Sequence, residues 1–378
     1  MTRWKLVSAD SHMSEVAETW DLVQKEYGEK APRVVWGAGE DLPGPYLYLP
    51  GWGSGRDGGG DYESCAMEYI GLFMGGINGF AKRGGFTGPK AAEFRKTFRF
   101  EDFPGPWDPE ARRKDLDRDG VEFELLYASH LRHVYEVSAK DEPLFHSICR
   151  SYNEWILDFA SFDPKRFIPL PALSPLSPEG AAQDIRDYVK RGAKGFMTAS
   201  AVPIGMNYGD PMFDPIWAAA QEADVPIGMH IHSGRWKHPT YHHRRANAMH
   251  AEIQTTLGEM IDGGVFQRFP RLKIVSAEYD IGWVAYWVDQ IRIRSADPKI
   301  AECFDRNIWF TFQDDAVGCA MIPYYGADRF MWANDYPHSI TTWPDSQAIV
   351  DRVLDGFSDE VKLKVTRQNA IDLYKLDG

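Results

Sequence analysis

The chain has 378 residues, of which 44% are hydrophobic, and carries 42 basic and 55 acidic side chains for a formal net charge of −13. Its 21 Phe, 17 Tyr and 13 Trp provide apolar surface for a large core, which excludes a disordered chain. The acidic balance argues against nucleic acid or an anionic membrane as a partner. No run approaches the ~20 apolar residues of a membrane span, and the start lacks a secretory apolar core, so we expect a cytoplasmic protein.

Short apolar runs alternate with helical segments along the chain. Eight runs predict strands: Trp4–Ala9, Val121–Tyr127, Phe167–Leu170, Lys194–Thr198, Val225–Ile231, Leu272–Ala277, Ile308–Phe312 and Arg329–Ala333. Most of the connections predict helices, over about 109–119, 141–161, 178–191, 214–223, 247–262 and 281–294. Because parallel strands need crossover connections, eight such units predict an α/β fold, a closed (β/α)8 TIM-like barrel. An open doubly wound sheet is the structural alternative, and no GxGxxG or GxxxxGK[ST] motif follows any run to support its nucleotide-binding form.

The stretch 39–100 is a Gly- and aromatic-rich insertion between the first two predicted strands. Its glycine density excludes long regular elements, so we expect one barrel domain over 1–378 that carries this insertion. Aromatic residues such as Trp52 and Phe86 indicate that the insertion packs onto a surface. We expect it to act as a lid on the barrel or as a contact in a homo-oligomer, and a different partner subunit also stays open.

Imidazole and carboxylate side chains follow four of the predicted strands. Asp10 and His12 end the first run and share a strand face, His230 ends the fifth, Glu278 follows the sixth and Asp335 follows the eighth. Barrel enzymes place their ligands at these carboxyl ends, and mixed imidazole–carboxylate sets suit Zn, Mn or Fe. The four cysteines form no CxxC pair, so neither thiolate zinc nor a disulfide framework is expected. A turn role for Asp335 and a helix N-terminal role for Glu278 are the structural alternatives.

Further residues extend the candidate site. Glu15 lies in the first loop and His250 on the helix after the fifth strand, so each could add a metal ligand. His232 shares a strand face with His230, Arg235 follows it, and His338 follows Asp335 in the last loop. Imidazole and guanidinium groups near a metal can bind a carboxylate, which predicts a small polar substrate held by His232, Arg235 and His338.

At these residues the sequence resembles the amidohydrolase-related superfamily, in the amidohydrolase 2 branch that includes aminocarboxymuconate-semialdehyde decarboxylase and resorcylate-type decarboxylases. Four segments carry the resemblance: Val7-Ser-Ala-Asp10-Ser-His12-Met-Ser-Glu15, Asp115-Leu-Asp-Arg-Asp-Gly-Val121, Val225-Pro-Ile-Gly-Met-His230 and Asn334-Asp335-Tyr-Pro-His338. They span nearly the whole chain in the expected order, whereas the insertion over 39–100 contains none of them.

The resemblance implies a TIM-like barrel that holds one or two divalent ions. It implies Asp10, His12, His230 and Asp335 as metal ligands, with Asp335 also handling protons. Two departures stand out. The first motif is Asp-x-His rather than His-x-His, and Glu278 replaces the histidine that the decarboxylases usually carry on strand 6. A carboxylate there can act as a base or as a ligand, but it does not copy a protonated imidazole.

Three functions are compatible with these residues. The first is a metal-dependent enzyme that hydrolyses or decarboxylates a small, carboxylate-bearing substrate, with Asp335 as proton acceptor and Glu278 as a second acid or base. The second is a dinuclear Fe or Fe/Mn oxygenase, because Glu15, His250 and Glu278 supply more ligands than one ion needs. The third is a non-catalytic barrel subunit that stabilises a catalytic partner.

Overall fold

The computed structural model describes residues 4–36, 45–50, 103–233, 249–295, 299–338 and 340–377. In these residues ten strands form: β1 (Leu6–Met13), β2 (Arg33–Trp36), β3 (Pro45–Tyr48), β4 (Val121–Ala128), β5 (Phe167–Pro169), β6 (Phe196–Ala199), β7 (Pro226–His230), β8 (Lys273–Ala277), β9 (Ile308–Phe312) and β10 (Phe330–Trp332). β1, β4 and β5 pair in parallel, and β6 to β10 form a second parallel group in sequence order.

Hydrogen bonds beyond the regular ladders connect the two groups of strands at both seams. Between β5 and β6, the amide of Leu173 donates to the carbonyl of Met197 (2.9 Å). Between β10 and β1, Asp335 donates to the carbonyl of Asp10 (3.0 Å) and His12 donates to the carbonyl of Tyr336 (2.7 Å). The eight parallel strands therefore form the predicted barrel, and its second seam passes through three of the candidate site residues.

Helices connect the barrel strands, as the alternating pattern predicts. The α-helices of eight residues or more are Pro109–Asp119, Glu142–Ser161, Pro178–Lys190, Asp214–Ala223, Met249–Asp262, Val284–Arg294, Lys299–Arg306, Ala316–Tyr325 and Ser346–Val353, and a 3-10 helix covers Leu131–Ala139. The first has local signals at both ends, because Asp108 caps its start with a hydrogen bond from the Ala111 amide and Gly120 follows it with a φ of 75°. Among the described residues, none of the helices combines the length and apolar character needed to cross a bilayer.

The first loop contains a short hairpin that the sequence pattern does not show. β2 and β3 pair antiparallel, with Arg33 opposite Tyr48. Among the described residues, β3 is the only strand within 39–100, and the expectation that this insertion lacks long regular elements stays a prediction. The rest of the insertion, apart from 45–50, lies outside the described residues, so its role as a lid or oligomer contact stays a prediction.

A buried tyrosine from β4 packs inside the barrel, next to the candidate site. The ring of Tyr127 lies 5.0 Å from the ring of His230, centroid to centroid, and 6.2 Å from that of His12. A Cβ atom on Gly228 would lie only 2.3 Å from the Tyr127 hydroxyl, so glycine at this position leaves room for the ring. The tyrosine thus packs directly against the histidines at the ends of β1 and β7.

Candidate metal centre

The carboxyl ends of β1, β7, β8 and β10 bring five candidate residues together. Asp10 and His12 lie on β1, His230 ends β7, Glu278 directly follows β8, and Asp335 lies in the loop after β10. The first three and Asp335 are essentially inaccessible to solvent, whereas the Glu278 side chain retains 9% exposure. Side chains far apart in the sequence thus form one buried group of imidazoles and carboxylates.

The donor atoms of this group face one another at short distances. Nε2 of His230 lies 3.3 Å from Oδ2 of Asp10 and 3.1 Å from Oε2 of Glu278. Nε2 of His12 lies 3.5 Å from Oδ1 of Asp10, 3.7 Å from Oε2 of Glu278 and 3.3 Å from Oδ1 of Asp335. Asp10, His12, His230 and Glu278 have donor atoms that all lie within 4.8 Å of one another, a spacing that one metal ion can bridge.

Backbone carbonyls orient both histidines. Nδ1 of His230 lies 2.8 Å from the carbonyl oxygen of Ile231, and Nδ1 of His12 lies 3.3 Å from that of Ala128. Because a carbonyl only accepts, the proton of each neutral ring belongs on Nδ1, which leaves the Nε2 lone pair directed into the group. Metal-binding histidines are commonly oriented in this way.

The unsatisfied polar atoms of the group test whether a metal ion fits. Both carboxylate oxygens of Asp10 and of Asp335, and Nε2 of His12 and His230, are buried yet form no hydrogen bond within the described part of the chain. Buried polar groups are nearly always satisfied in native proteins. These atoms are oxygen and imidazole nitrogen donors of the kind that bind Mn, Fe or Zn, so the residues present fit a divalent ion.

Burial and mutual charge shift the pKa values within the group. Burial, with the nearby charges of Glu278 and Asp10, raises the pKa of Asp335 well above its ordinary value. Burial also raises the pKa of Asp10 and lowers that of His12 far below its ordinary value. Burial alone would lower the pKa of His230, but Asp10 and Glu278 raise it to about 9. Burial opposes ionisation of Glu278, yet contact with His12 and His230 holds its pKa well below the ordinary value.

The backbone at Glu278 and Asp335 is held in the left-handed region. Their φ angles are 62° and 54°, and His232 shares this conformation with a φ of 65°. A non-glycine residue in this region costs about 1–3 kcal/mol, which persists only where the surroundings enforce it. For Glu278, the Thr311 hydroxyl fixes the strand end by accepting a hydrogen bond from the residue's amide (2.8 Å). Both carboxylates thus reach the group from strained positions just past a strand.

The structure does not bring Glu15 and His250 into this group. The Glu15 carboxylate is buried beside His130 instead, where it accepts hydrogen bonds from the His130 and Leu131 amides (3.0 and 3.1 Å) and lies 2.5 Å from Nδ1 of His130. His250 stacks on Trp283, with ring centroids 6.3 Å apart and an interplanar angle of 16°. The additional ligands that a second ion would need are therefore not assembled here by these two residues.

Of the residues expected to bind substrate, His338 is placed at the group by the described contacts. His338 is buried, and its ring lies 4.1 Å from that of His12. It also forms a second set of close donor atoms with His12 and Asp335. His232 directly follows Ile231 at the end of β7, and Arg235 lies outside the described residues.

Sequence analysis missed a buried arginine that follows β4. Arg132 is 2% exposed; its Nη1 lies 3.2 Å from Oε2 of Glu278, and its Nη2 lies 3.2 Å from Nε2 of His338. Nη1 of Arg132 also lies 3.2 Å from Nδ1 of His230, which is a close approach and not a hydrogen bond, because that nitrogen carries the proton donated to the Ile231 carbonyl. The sequence could have indicated this residue, because the segment Ser129-His-Leu-Arg132 also follows a predicted barrel strand. Barrel enzymes place functional residues at the carboxyl ends of their strands, and this applies to β4 as to the other strands.

The chain belongs to the amidohydrolase family, whose model matches residues 78–376. It is therefore a metal-dependent enzyme of the hydrolase and lyase type, with a divalent metal ion as its cofactor. The chain is 30% identical over 284 residues to 2-amino-3-carboxymuconate-6-semialdehyde decarboxylase from Dictyostelium discoideum, covering 72% of this chain and 77% of that protein. It is 24% identical to gamma-resorcylate decarboxylase from Rhodococcus jostii, covering 71% of this chain and 88% of that protein.

Solved structures share the fold. An amidohydrolase from Mycobacterium avium subsp. paratuberculosis superimposes with a TM-score of 0.79 at 22% identity, over 99% of this chain and 100% of that one. A dihydroxybenzoic acid decarboxylase from Polaromonas, solved with bound manganese and 2-nitroresorcinol, gives a TM-score of 0.61 at 21% identity, over 79% and 93% of the two chains. These similarities support the barrel architecture that the sequence pattern predicts.

Proposed function

We propose that the protein decarboxylates a small unsaturated or aromatic carboxylate, with one divalent ion held among Asp10, His12, His230, Glu278 and Asp335. The observation that carries this proposal is the set of buried donor atoms in Asp10, His12, His230 and Asp335 that find no hydrogen-bond partner in the described chain. The curated relatives quoted above are named as decarboxylases, which favours loss of carbon dioxide over hydrolysis. The positions of Glu15 and His250 favour one ion rather than two, and with it a decarboxylase rather than a dinuclear oxygenase.

When bound, the ion supplies positive charge that holds and polarises the oxygen atoms of the substrate. Decarboxylation breaks one carbon–carbon bond, leaves the electron pair on the substrate carbon and requires a proton at that carbon. Asp335 is the proposed proton donor, because it is fully buried and its two oxygens lie inside the group. Carbon dioxide leaves, and solvent returns the proton to Asp335.

Two further side chains are proposed to orient the substrate. Glu278 is the most exposed member of the group and its Oε2 contacts His230 and Arg132, so it is proposed as an ionised partner of the bound ion on the side of the group nearest to solvent. His338 lies against His12, and its Nε2 faces Arg132. Because a guanidinium only donates, Nε2 of His338 accepts from Arg132 and the neutral ring carries its proton on Nδ1, and this ring is proposed to contact the substrate.

Metal analysis and a substrate panel test the proposal. Protein purified without chelator should contain one Mn, Fe or Zn per chain, and we expect manganese to support turnover. The panel combines 2,6-dihydroxybenzoate, 5-carboxyvanillate and 2-amino-3-carboxymuconate-6-semialdehyde with amide and ester substrates, with carbon dioxide release, hydrolysis and oxygen uptake recorded in parallel. Carbon dioxide release that disappears in Asp335→Asn supports the proposal. Hydrolysis alone, or oxygen uptake with two irons per chain, contradicts it.

The assembly and compartment of the protein remain predictions. We propose a homo-oligomer in the cytoplasm, based on the aromatic-rich insertion and the composition. Light scattering on the purified protein measures the mass directly, and deletion within 51–102 should lower it if the insertion forms the contact. A monomeric native protein would leave the lid as the proposed role of this segment.

A further inference from the structure

Arg132 occupies an unusual place for a cation, directly beside a group that binds a positive ion. It belongs to the short helix Leu131–Ala139 that follows β4, and 2% of its surface is exposed. Its Nε donates to the Ser129 carbonyl (3.1 Å), which fixes the guanidinium against the strand end. An arginine remains protonated in proteins, so a full positive charge is buried next to the proposed metal ligands.

The contacts of Arg132 connect it to Glu278, the carboxylate that follows β8. Its Nη1 donates to Oε2 of Glu278, the same oxygen that lies 3.1 Å from Nε2 of His230. Burying a charge is costly unless a partner of opposite sign accompanies it, so Glu278 and Arg132 belong together as a pair. The arginine therefore accompanies the negative charge that Glu278 brings to this centre.

The charges within the group balance when one divalent ion is present. In the metal-bound protein without substrate, before Asp335 takes up the proton that it later donates, Asp10, Glu278 and Asp335 contribute three negative charges as ionised carboxylates, and Arg132 contributes one positive charge. One divalent ion then makes the group neutral, whereas a trivalent ion leaves a net positive charge in a buried site. Net charge in a buried environment has a large electrostatic cost.

We propose that Arg132 is the counter-charge to Glu278 that makes this centre select a divalent over a trivalent cation. The contacts of Arg132 argue against a direct role as the anchor of a substrate carboxylate, because Nη1 already donates to Glu278 and Nη2 to His338. The inference rests on the single-ion ligand set proposed above but does not depend on the reaction, since it concerns metal binding in the absence of substrate.

Competitive titration of Mn²⁺ and Tb³⁺ into metal-free protein tests the inference. Free Mn²⁺ is followed by its electron paramagnetic resonance signal and bound Tb³⁺ by luminescence sensitised by the tryptophans. The measured quantity is the ratio of Tb³⁺ to Mn²⁺ affinity in each variant relative to the native protein. Arg132→Met should raise the ratio about tenfold or more, because it leaves one uncompensated negative charge that a trivalent ion neutralises.

Variants of Glu278 test the same charge argument from the opposite side. Glu278→Gln should lower the ratio, since one negative charge is then missing from the group while the charge of Arg132 remains, and Arg132→Met with Glu278→Gln should return it toward the native value. The double variant removes the buried pair together, so it keeps the experiment decisive if Arg132→Met does not fold. Arg191→Met, which removes an exposed arginine paired with Glu154, is the control and should leave the ratio unchanged.

The outcomes separate this inference from the proposed function. A ratio that stays flat across the series, with normal Mn²⁺ binding by the native protein, overturns the role of Arg132 alone. Native protein that binds no Mn²⁺ overturns the ligand set and the inference together. The counter-charge role is supported if the ratio of Tb³⁺ to Mn²⁺ affinity is highest in Arg132→Met, intermediate in the native protein and the double variant, and lowest in Glu278→Gln. A purely structural arginine would not produce opposite changes in this ratio when a positive or a negative charge is removed.

Discussion

The backbone amide of Asp335 donates a hydrogen bond to the carbonyl oxygen of Asp10 (3.0 Å), so two proposed metal ligands from opposite ends of the chain are joined directly. This bond lies at the seam where β10 meets β1, and the His12 amide adds a second bond to the Tyr336 carbonyl. The hydrogen bonds that close the barrel between β10 and β1 therefore also hold the proposed metal ligands in place. Changes that loosen this seam should affect stability and metal binding together.

Asn334 is the side chain on which this seam depends most. It is fully buried; its Oδ1 accepts hydrogen bonds from the Ser8 and Ser11 hydroxyls (both 2.9 Å) and from the Tyr336 amide (3.0 Å), and its Nδ2 donates to Asp119 (3.3 Å). Asn334→Ala leaves these buried groups unsatisfied, so we expect it to lower the free energy of unfolding by about 3 kcal/mol. We also expect Mn²⁺ affinity to fall about 10- to 100-fold, as for other residues that orient ligands.

Asn307→Ala is the matched control for this substitution. Asn307 is equally buried and donates to the Leu272 and Pro270 carbonyls, but it precedes β9 at the opposite end of the barrel. Denaturant unfolding and Mn²⁺ titration should show loss of stability in both variants and loss of metal affinity only in Asn334→Ala. Equal Mn²⁺ affinities in the two variants would contradict the link between the seam and the centre.

Much of the fold could be predicted because its signals are local. The helix over 109–119 begins and ends where the pattern places it, with an Asp cap, Pro at its first position and Gly after its last. The helix over 214–223 and the strand over 308–312 also match their predicted bounds. The hairpin formed by β2 and β3 escaped prediction, because its two strands of four residues carry no strong alternating pattern.

The candidate site was only partly predictable, because proximity in space depends on side-chain direction as well as strand position. Asp10, His12, His230, Glu278 and Asp335 follow from the rule that barrel sites form at carboxyl strand ends. Glu15 satisfies the same rule, yet it faces His130 instead. Positive φ angles at Glu278 and Asp335 aim their carboxylates at the group, and sequence does not reveal such angles for residues other than glycine.

Metal removal should lower stability by an amount that depends on Asp335. An ion that binds only the native state contributes about 2.7 kcal/mol at a concentration 100 times its Kd, which for a chain of this size corresponds to a Tm increase of about 3–5 °C. Asp335→Asn removes one carboxylate from a crowded anionic group, so its metal-free form should be at least as stable as the metal-free native protein. Calorimetry in EDTA and in Mn²⁺ should show that Mn²⁺ raises the Tm of the native protein and raises that of Asp335→Asn much less. An unchanged increase would exclude Asp335 as a ligand.

The pair His146–Asp184, on neighbouring helices outside the metal centre, predicts a pH-dependent stability. Nε2 of His146 lies 2.7 Å from Oδ2 of Asp184, and this hydrogen bond raises the histidine pKa above its ordinary value despite partial burial. Because the folded-state pKa is the higher one, the pair stabilises the protein fully below the unfolded pKa of about 6.5 and loses that contribution as pH rises through the folded value.

His146→Gln should therefore cost about 1 kcal/mol of unfolding free energy at pH 5.5 and much less at pH 9. Asp184→Asn should show the same pH dependence, and the double variant should show no additional loss at pH 5.5, because either change removes the pair. Urea unfolding at the two pH values provides the measurement. Additive losses in the double variant would show that the two residues act independently.

Gly228 should tolerate no side chain, because Tyr127 occupies the space beside it. The Cβ of Gly228→Ala would lie 2.3 Å from the Tyr127 hydroxyl and 2.7 Å from a ring carbon, inside the barrel and next to His230. Overpacking of this kind costs about 1–3 kcal/mol, and a displaced ring should also weaken Mn²⁺ binding. Gly258→Ala on the helix Met249–Asp262 is the control, since nothing lies within 4 Å of its added Cβ and alanine favours a helix by about 1 kcal/mol. The Tm should therefore fall in Gly228→Ala and rise in Gly258→Ala, although both variants add one methyl group. A higher Tm in Gly228→Ala would contradict the role of Tyr127 beside the centre.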